Sequence, residues 1–449
     1  MTGGLGDGTA LLERLRELPG GRVLLELSCG RDDVELVGGA VRDLLLGREP
    51  RELDVIVDGP ADVFASRIAA LVDCRCAAHD GRRSTIERHE RFGTAAVAWK
   101  RGRIDVATRR DESYAAPGAL PDVRAGTREQ DVRRRDFTVN TISLSLGGAR
   151  RGELHAAPGA LEDLASGRLR VLHDRSFVDD PTRLLRLARY GARLGFEPEE
   201  QTARLAAQAL AQGALATVSH ARIGAELRLA LAEPDALAAL EALERLGLLA
   251  ALHEAIELDA PLTRAALAAL PPEPEASRDV LLLASLLLPR GSYDTTDYET
   301  RLRALLDGFE TPALERERTV HSALLAPRIV ERLRKAQTPS RIYEVAHDAP
   351  LEAVALAVAL ADERDDQQAA DAARRWLGEL RHVRLRITGD HLLRAGIAAG
   401  PEIGRRLDTA LRRKLDGELG ERADAELDAA LAGQRPARGG ETGADVESV

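Results

Sequence analysis

Part-way along this chain the spacing of its apolar residues changes. Between residues 34 and 110 they fall in short runs. Val34-Glu35-Leu36-Val37 reads as a strand ending in Gly38-Gly39, and Leu53-Asp54-Val55-Ile56-Val57 reads as a second. Thr94 to Trp99 and Arg103 to Ala107 read as a hairpin turned at Arg101-Gly102. Between these runs the pattern predicts a helix from Ala40 to Leu46, closed by Gly47, and an amphipathic helix over 61–72. A short helical pattern, Leu11-Leu12-Glu13-Arg14-Leu15, follows a Gly-rich start. After about residue 160 the texture turns helical, with Ala, Leu, Arg and Glu at spacings of three and four. Pro- and Gly-containing breaks fall near 196–198, 234, 271–274, 289–291 and 400–401. No internal repeat stands out. Residues 434–449 are polar and aperiodic, which predicts a disordered tail. The expected organisation is a mixed α/β head followed by helices.

Length and composition narrow the class. The 449 residues exceed what one core usually holds, so two to four domains are expected. The hydrophobic fraction of 44% supplies cores, yet no apolar run approaches a membrane span of ~18 residues. Met1-Thr2-Gly3-Gly4 does not open a secretory signal, so a soluble cytoplasmic protein is expected. The 3 cysteines, Cys29, Cys74 and Cys76, lack zinc or redox spacing. A net charge of −10 argues against a general nucleic-acid coat. Basic residues nevertheless cluster at 133–135 and 183–193, and a local basic face suffices to bind phosphates.

Four segments carry candidate chemistry. In the first, a strand runs into Gly38-Gly39 and at once into a helix bearing Arg42. Glycines admit a phosphate close to the backbone, the helix start favours an anion, and an arginine adds donors. A plain structural turn explains two glycines equally well. The second segment, Glu52-Leu53-Asp54, puts two carboxylates on one face of a strand, and Asp105 begins another strand-like piece. Neighbouring acids repel unless a cation lies between them, and carboxylates on adjacent strands could hold two Mg²⁺ ions for phosphoryl transfer. Taken singly, each is an ordinary surface acid. The third, Asp131 to Asn140, contains Arg133-Arg134-Arg135, suited either to a triphosphate or to a solvated basic loop. In the fourth, Asp180 N-caps a helix with Pro181 in its first turn, and Arg183, Arg186 and Arg189 recur every three residues. Asp180 and Arg183 offer an acceptor beside donors, enough to read a base edge.

Together these segments resemble the class II CCA tRNA nucleotidyltransferase and bacterial poly(A) polymerase family. The family's G-G-x-V-R-D…D-x-D, R-R-D-F-T-x-N and E-D-x-x-R-x-x-R stand here in order, and Arg134 to Asn140 is a full match. A sparser likeness runs from Ile387 to Gly404. The resemblance implies an α+β fold, with a polymerase β-like mixed-sheet head over 20–150, a helical neck over 151–230 and an all-α body and tail over 231–433. It implies that Glu52 and Asp54 hold catalytic Mg²⁺, with Asp105 as third carboxylate. Gly38, Gly39, Arg42 and Arg135 would bind the triphosphate, and Asp180 and Arg183 the base of CTP or ATP, supported by Arg186 and Arg189. The helical remainder would hold tRNA. No membrane contact and no protein partner is implied.

The sequence departs from the family at several positions. Glu52 replaces the usual Asp, and Asp179-Asp180 stands for Glu-Asp. Ala156-Ala157 replaces an Asp-Pro upstream of Leu161, and Ala221 replaces the acid before Arg222-Ile223. No His-Asp pair marks a phosphohydrolase between Asp279 and Arg290. The expected activity is CCA addition. A poly(A) polymerase or an enzyme adding only C or only A shares the head motifs, and a catalytically silent tRNA-binding protein is the reading from another class.

Overall fold

The computed structural model describes residues 7–76, 83–89, 93–272, 274–289, 294–420 and 422–432. The polar stretch from 434 onwards, expected to be disordered, lies outside the described residues. The chain divides into two compact units, residues 1–254 and 255–449.

The first unit is built on a seven-stranded mixed sheet. Its strands are β1 (Val34–Val37), β2 (Leu53–Val57), β3 (Thr85–His89), β4 (Thr94–Trp99), β5 (Gly102–Thr108), β8 (Ser143–Ser145) and β9 (Leu154–His155), in the order β3-β4-β5-β2-β1-β8-β9. A separate hairpin pairs β6 (Arg110–Ser113) with β7 (Asp122–Ala125). The β2–β5 pairing is parallel and the other pairings in the large sheet are antiparallel. All four residues of β1 are buried, including Glu35, whose charge is met by Arg109 and Arg128. The helix Ala61–Cys76 covers β4 and β5 with Phe64, Ala65, Ile68 and Val72, an apolar stripe at helical spacing. The β4–β5 hairpin closes with Trp99 opposite Gly102, so Lys100-Arg101 form the turn, one residue earlier than expected.

The neck helix Thr182–Leu194 ends at Gly195, whose φ of 72° favours glycine. It packs against His220–Leu231 and Ala236–Arg245. The boundary expected at 230/231 therefore falls within the first unit, because the second of these helices buries its apolar face on the neck.

The second unit is helical throughout its described residues. The helix Leu351–Glu363 is apolar on nearly every side and is surrounded by Ala313–Leu333, Ala260–Ala269 and Gln367–Gly378. A smaller apolar cluster of Ile387, Leu392, Ala410, Ala429 and Ala430 joins the last helices. Among the described residues no helix is long and apolar enough to cross a membrane.

Candidate active site

The parallel register of β2 and β5 sets Asp54 directly opposite Asp105, and Glu52, just before β2 begins, brings its carboxylate to the same cluster. Oxygens of the three carboxylates lie within 4.8 Å of one another. Burial, together with the charges of Glu52 and Asp105, pushes the Asp54 carboxyl up to about 7, while Arg135 and Arg42 pull it down. A set of oxygen donors that repel one another is what a hard divalent cation neutralises, so these residues fit a metal. The register runs on through Ala96 to Glu87 on β3, a fourth acid in the same row. Arg103, two residues before Asp105, holds that carboxylate with Nε and Nη2 at 2.9 Å each.

Beside the carboxylates lies the glycine turn. Gly38 takes a φ of +63°, and a Cβ there would stand 3.0 Å from Arg135 Nη1. The backbone angle favours glycine, and any side chain there would also have to displace the Arg135 guanidinium. Arg135 is fixed in turn: its Nη1 donates to the Asn140 carbonyl at 2.9 Å and its Nη2 to Asp131 at 3.0 Å. The Arg135–Asn140 segment is itself pinned by Thr138, which donates to buried Asp163 at 2.7 Å.

Across the cleft, the neck helix begins at Thr182 with Pro181 as its N-cap, so Asp180, expected to be that cap, lies one residue before it. Its Oδ1 accepts from Thr182 N at 3.2 Å, Thr182 Oγ1 at 2.6 Å and Arg222 Nη2 at 2.7 Å. Arg183 Nη1 donates to Ser176 Oγ and Nη2 to the Arg134 carbonyl, both at 2.6 Å, and the residue lines the same cleft as Asp180. Arg222 also reaches the Gly118 carbonyl at 2.9 Å, tying the loop between β6 and β7 to the neck.

One cleft of about 610 Å³ is lined by Gly38, Gly39, Asp54, Asp105, Arg135, Asp180, Arg183 and Arg186. Eight of the expected site residues thus meet around one space. Glu52 stays exposed at its edge, joined to it through the carboxylate cluster.

Two expected nucleotide contacts do not line it. Arg42 is buried, donating to Asp43 and Asn140 and lying over the Tyr190 ring. Arg189 is buried against Glu226 and Glu233. The reason is helical geometry: steps of three residues in a 3.6-residue turn drift about 60° each, so Arg189 has rotated away from the face that Arg183 presents. Both arginines hold the site's walls rather than its contents. Residues the motifs did not single out also line the cleft, among them Arg103, Tyr114, Tyr190 and Arg222. The period-2 spacing of Arg103 and Asp105 was the available signal for the first, and the neck string Arg222-Ile223 for the last.

Comparison with known proteins agrees with this geometry. Residues 34–170 match the Poly A polymerase head domain, and residues 195–259 match the Probable RNA and SrmB-binding site of polymerase A. An A-adding tRNA nucleotidyltransferase of Geobacter sulfurreducens is 33% identical over 91% of this chain and 47% of its own length. Residues 34–170 and 195–259 of this chain thus match models of the poly(A) polymerase family. A second relative, a CC-adding tRNA nucleotidyltransferase of Deinococcus radiodurans, is 35% identical over 45% of this chain and 50% of its own. The chain spans about half the length of these curated relatives. A solved Thermotoga maritima CCA-adding enzyme, complexed with tRNA, is 27% identical with a TM-score of 0.73, covering 95% of this chain and 98% of that one.

Two expectations follow from the site. In metal-free protein the Asp54 carboxyl stands at about 7 against an ordinary 3.8, so its ionised form destabilises the fold. That cost is absent below pH ~4, grows as pH rises and is complete above the folded value. Asp54→Asn should therefore melt higher than wild type at pH 8 in chelator, with the gap closing towards pH 4; equal melting at pH 8 would contradict the electrostatic account. Arg189→Ala takes one of two arginine partners from each of the buried carboxylates Glu226 and Glu233, which keep Arg186 and Arg51, and should lower unfolding free energy by about 2 kcal/mol in denaturant titration. Unchanged stability with a raised nucleotide KM would instead restore Arg189 as a nucleotide contact.

Proposed function

We propose that this protein adds nucleotides from CTP and ATP to the 3′ end of tRNA, building the CCA terminus without a nucleic-acid template. One observation carries the reading: the carboxylates Asp54 and Asp105 share a cleft with the Asp180 and Arg183 pair. The first group suits phosphoryl transfer and the second suits base selection, and an enzyme that chooses its own nucleotide needs both. The names of the relatives, which act on tRNA ends, support the substrate class.

In this mechanism Glu52, Asp54 and Asp105 hold divalent cations, Mg²⁺ in this reading. Bound there, the ions supply charge for activating the RNA 3′-hydroxyl and for stabilising the pyrophosphate that leaves. The chain's own residues do the positioning. Arg135 and the Gly38-Gly39 turn receive the triphosphate, with no Cβ to keep its oxygens from the backbone. Fixing the α-phosphate in line with the attacking hydroxyl turns a bimolecular encounter into an oriented one. No side chain acts as a nucleophile. The helical second unit and the neck hold the tRNA by shape and backbone charge.

Base choice rests on the Asp180 carboxylate, which accepts, and the Arg183 guanidinium, which donates. Cytosine presents an N4 amino donor beside the N3 acceptor, and adenine N6 beside N1. Uracil and guanine present the reverse order at those edges, which would leave the protein's charges unpaired. Among the described residues no hydrogen bond falls on Asp180 Oδ2, so an acceptor stands open for the amino group.

A second reading, addition of the terminal A alone, is favoured by the A-adding Geobacter relative, whose likeness runs along nearly all of this chain. Purified protein with Mg²⁺ should extend tRNA lacking its CCA by three nucleotides when given CTP and ATP. Extension only of tRNA already ending in CC would establish the second reading, and no extension of either would overturn both. Asp180→Ala and Arg183→Ala should reduce the preference for CTP and ATP over UTP and GTP by about ten-fold or more, with tRNA affinity little changed. Wild-type selectivity in both variants, measured by single-nucleotide incorporation, would reduce the pair to a helix cap and a neighbouring arginine.

A further inference from the structure

Arg103 and Asp105 alternate with Ile104 on β5, so both side chains leave the same face of the sheet. The guanidinium engages both carboxylate oxygens. Nε lies 3.1 Å from Oδ1 and 2.9 Å from Oδ2, and Nη2 lies 2.9 Å from Oδ1. Asp105 is therefore claimed twice. Its register with Asp54 and its closeness to Glu52 make it a partner in holding a cation. A cation held there would stand against a guanidinium already on the same oxygens, and like charges repel. The two claims compete.

The ion pair is open to water, with side chains 46% and 28% exposed, and such pairs are weak. Arg103 also lines the cleft together with Gly39 and Arg135. The phosphates of an entering nucleoside triphosphate would offer it a second and more highly charged set of oxygens. A pair that served only to staple two neighbouring strand residues would not need to face the cleft at all.

We propose that Arg103 governs access to the third carboxylate: it occupies Asp105 in the nucleotide-free protein and passes to the incoming triphosphate, leaving Asp105 to a divalent cation. The inference rests on the metal-dependent reading above. It makes Arg103 a positioning residue that couples the two ligands, so that nucleotide and metal each favour the other's binding.

The test is Mn²⁺ binding to the nucleotide-free full chain, followed by electron paramagnetic resonance. Wild type is compared with Arg103→Gln, Asp105→Asn and the double variant, with circular dichroism as the check on folding. Arg103→Gln should bind Mn²⁺ about five-fold more tightly or better, and the gain should vanish in the Asp105→Asn background. The same variant should raise the KM for CTP and ATP several-fold, and Arg103→Lys should recover part of both effects. Equal or weaker Mn²⁺ binding by Arg103→Gln would overturn the inference while leaving the metal reading intact. So would a gain that persists without the Asp105 carboxylate, or an unchanged KM. Failure of wild type and every variant to bind Mn²⁺ would overturn both.

Discussion

A largely buried chain of alternating charges ties the strand of the carboxylate cluster to the neck helix that carries Arg183. It begins at Arg51, next to Glu52, and passes to Glu233, Arg189, Glu226, Arg186 and Asp136. Asn140 then links Asp136 to Arg42, which pairs with Asp43 and through it with Arg193. A buried charge without its partner is costly, so each member fixes the next. Glu226 and Glu233 come from the neck, Asp136 and Asn140 from the head, and the arginines alternate between them. The cleft has rigid walls because displacing one wall would strand a charge. The proposed two-sided chemistry, with metal ligands on one wall and base readers on the other, depends on that fixed separation.

The carboxylate cluster obeys the opposite logic. There, like charges face one another, and the Asp54 carboxyl is raised because burial and its neighbours both oppose ionisation. The local cost resembles that of other sites where function requires an arrangement the fold alone would not choose. The alternating chain beside it offsets the strain: Arg135 and Arg42, both held by partners of their own, lower what the acids raise. Neutralisation by Arg103 at Asp105 belongs to the same balance.

Much of this was legible in the sequence, for physical reasons that also mark where reading stopped. Strands β1 and β2 emerge with their bounds intact, because a short apolar run closed by glycine or begun by an acid has few other uses. The hairpin turn was placed one residue late, since Lys100-Arg101 carry none of the residues that turns usually select. Glu52, Asp54 and Asp105 could be named together because period 2 and a shared face follow from strand geometry. Arg42 and Arg189 were assigned to the nucleotide because an arginine's motif says nothing about which buried acid claims it. Glu226 and Glu233, which hold Arg189, lie far along the chain from it and give no local signal. The same limit hid the partners of Arg222, whose two bonds reach Gly118 and Asp180 from a third segment. Contacts between distant segments are set by packing, and spacing within one segment does not report them.

The central claim is that metal ligands and base readers serve one nucleotide in one cleft. The most direct measurement is a crystal structure of the protein with CTP and Mn²⁺, with the manganese located by anomalous scattering. The account predicts manganese at Glu52, Asp54 and Asp105, the triphosphate on Arg135 and the Gly38-Gly39 turn, and the cytosine edge against Asp180 and Arg183. A nucleotide bound with its base away from that pair, or manganese bound away from those carboxylates, would contradict it.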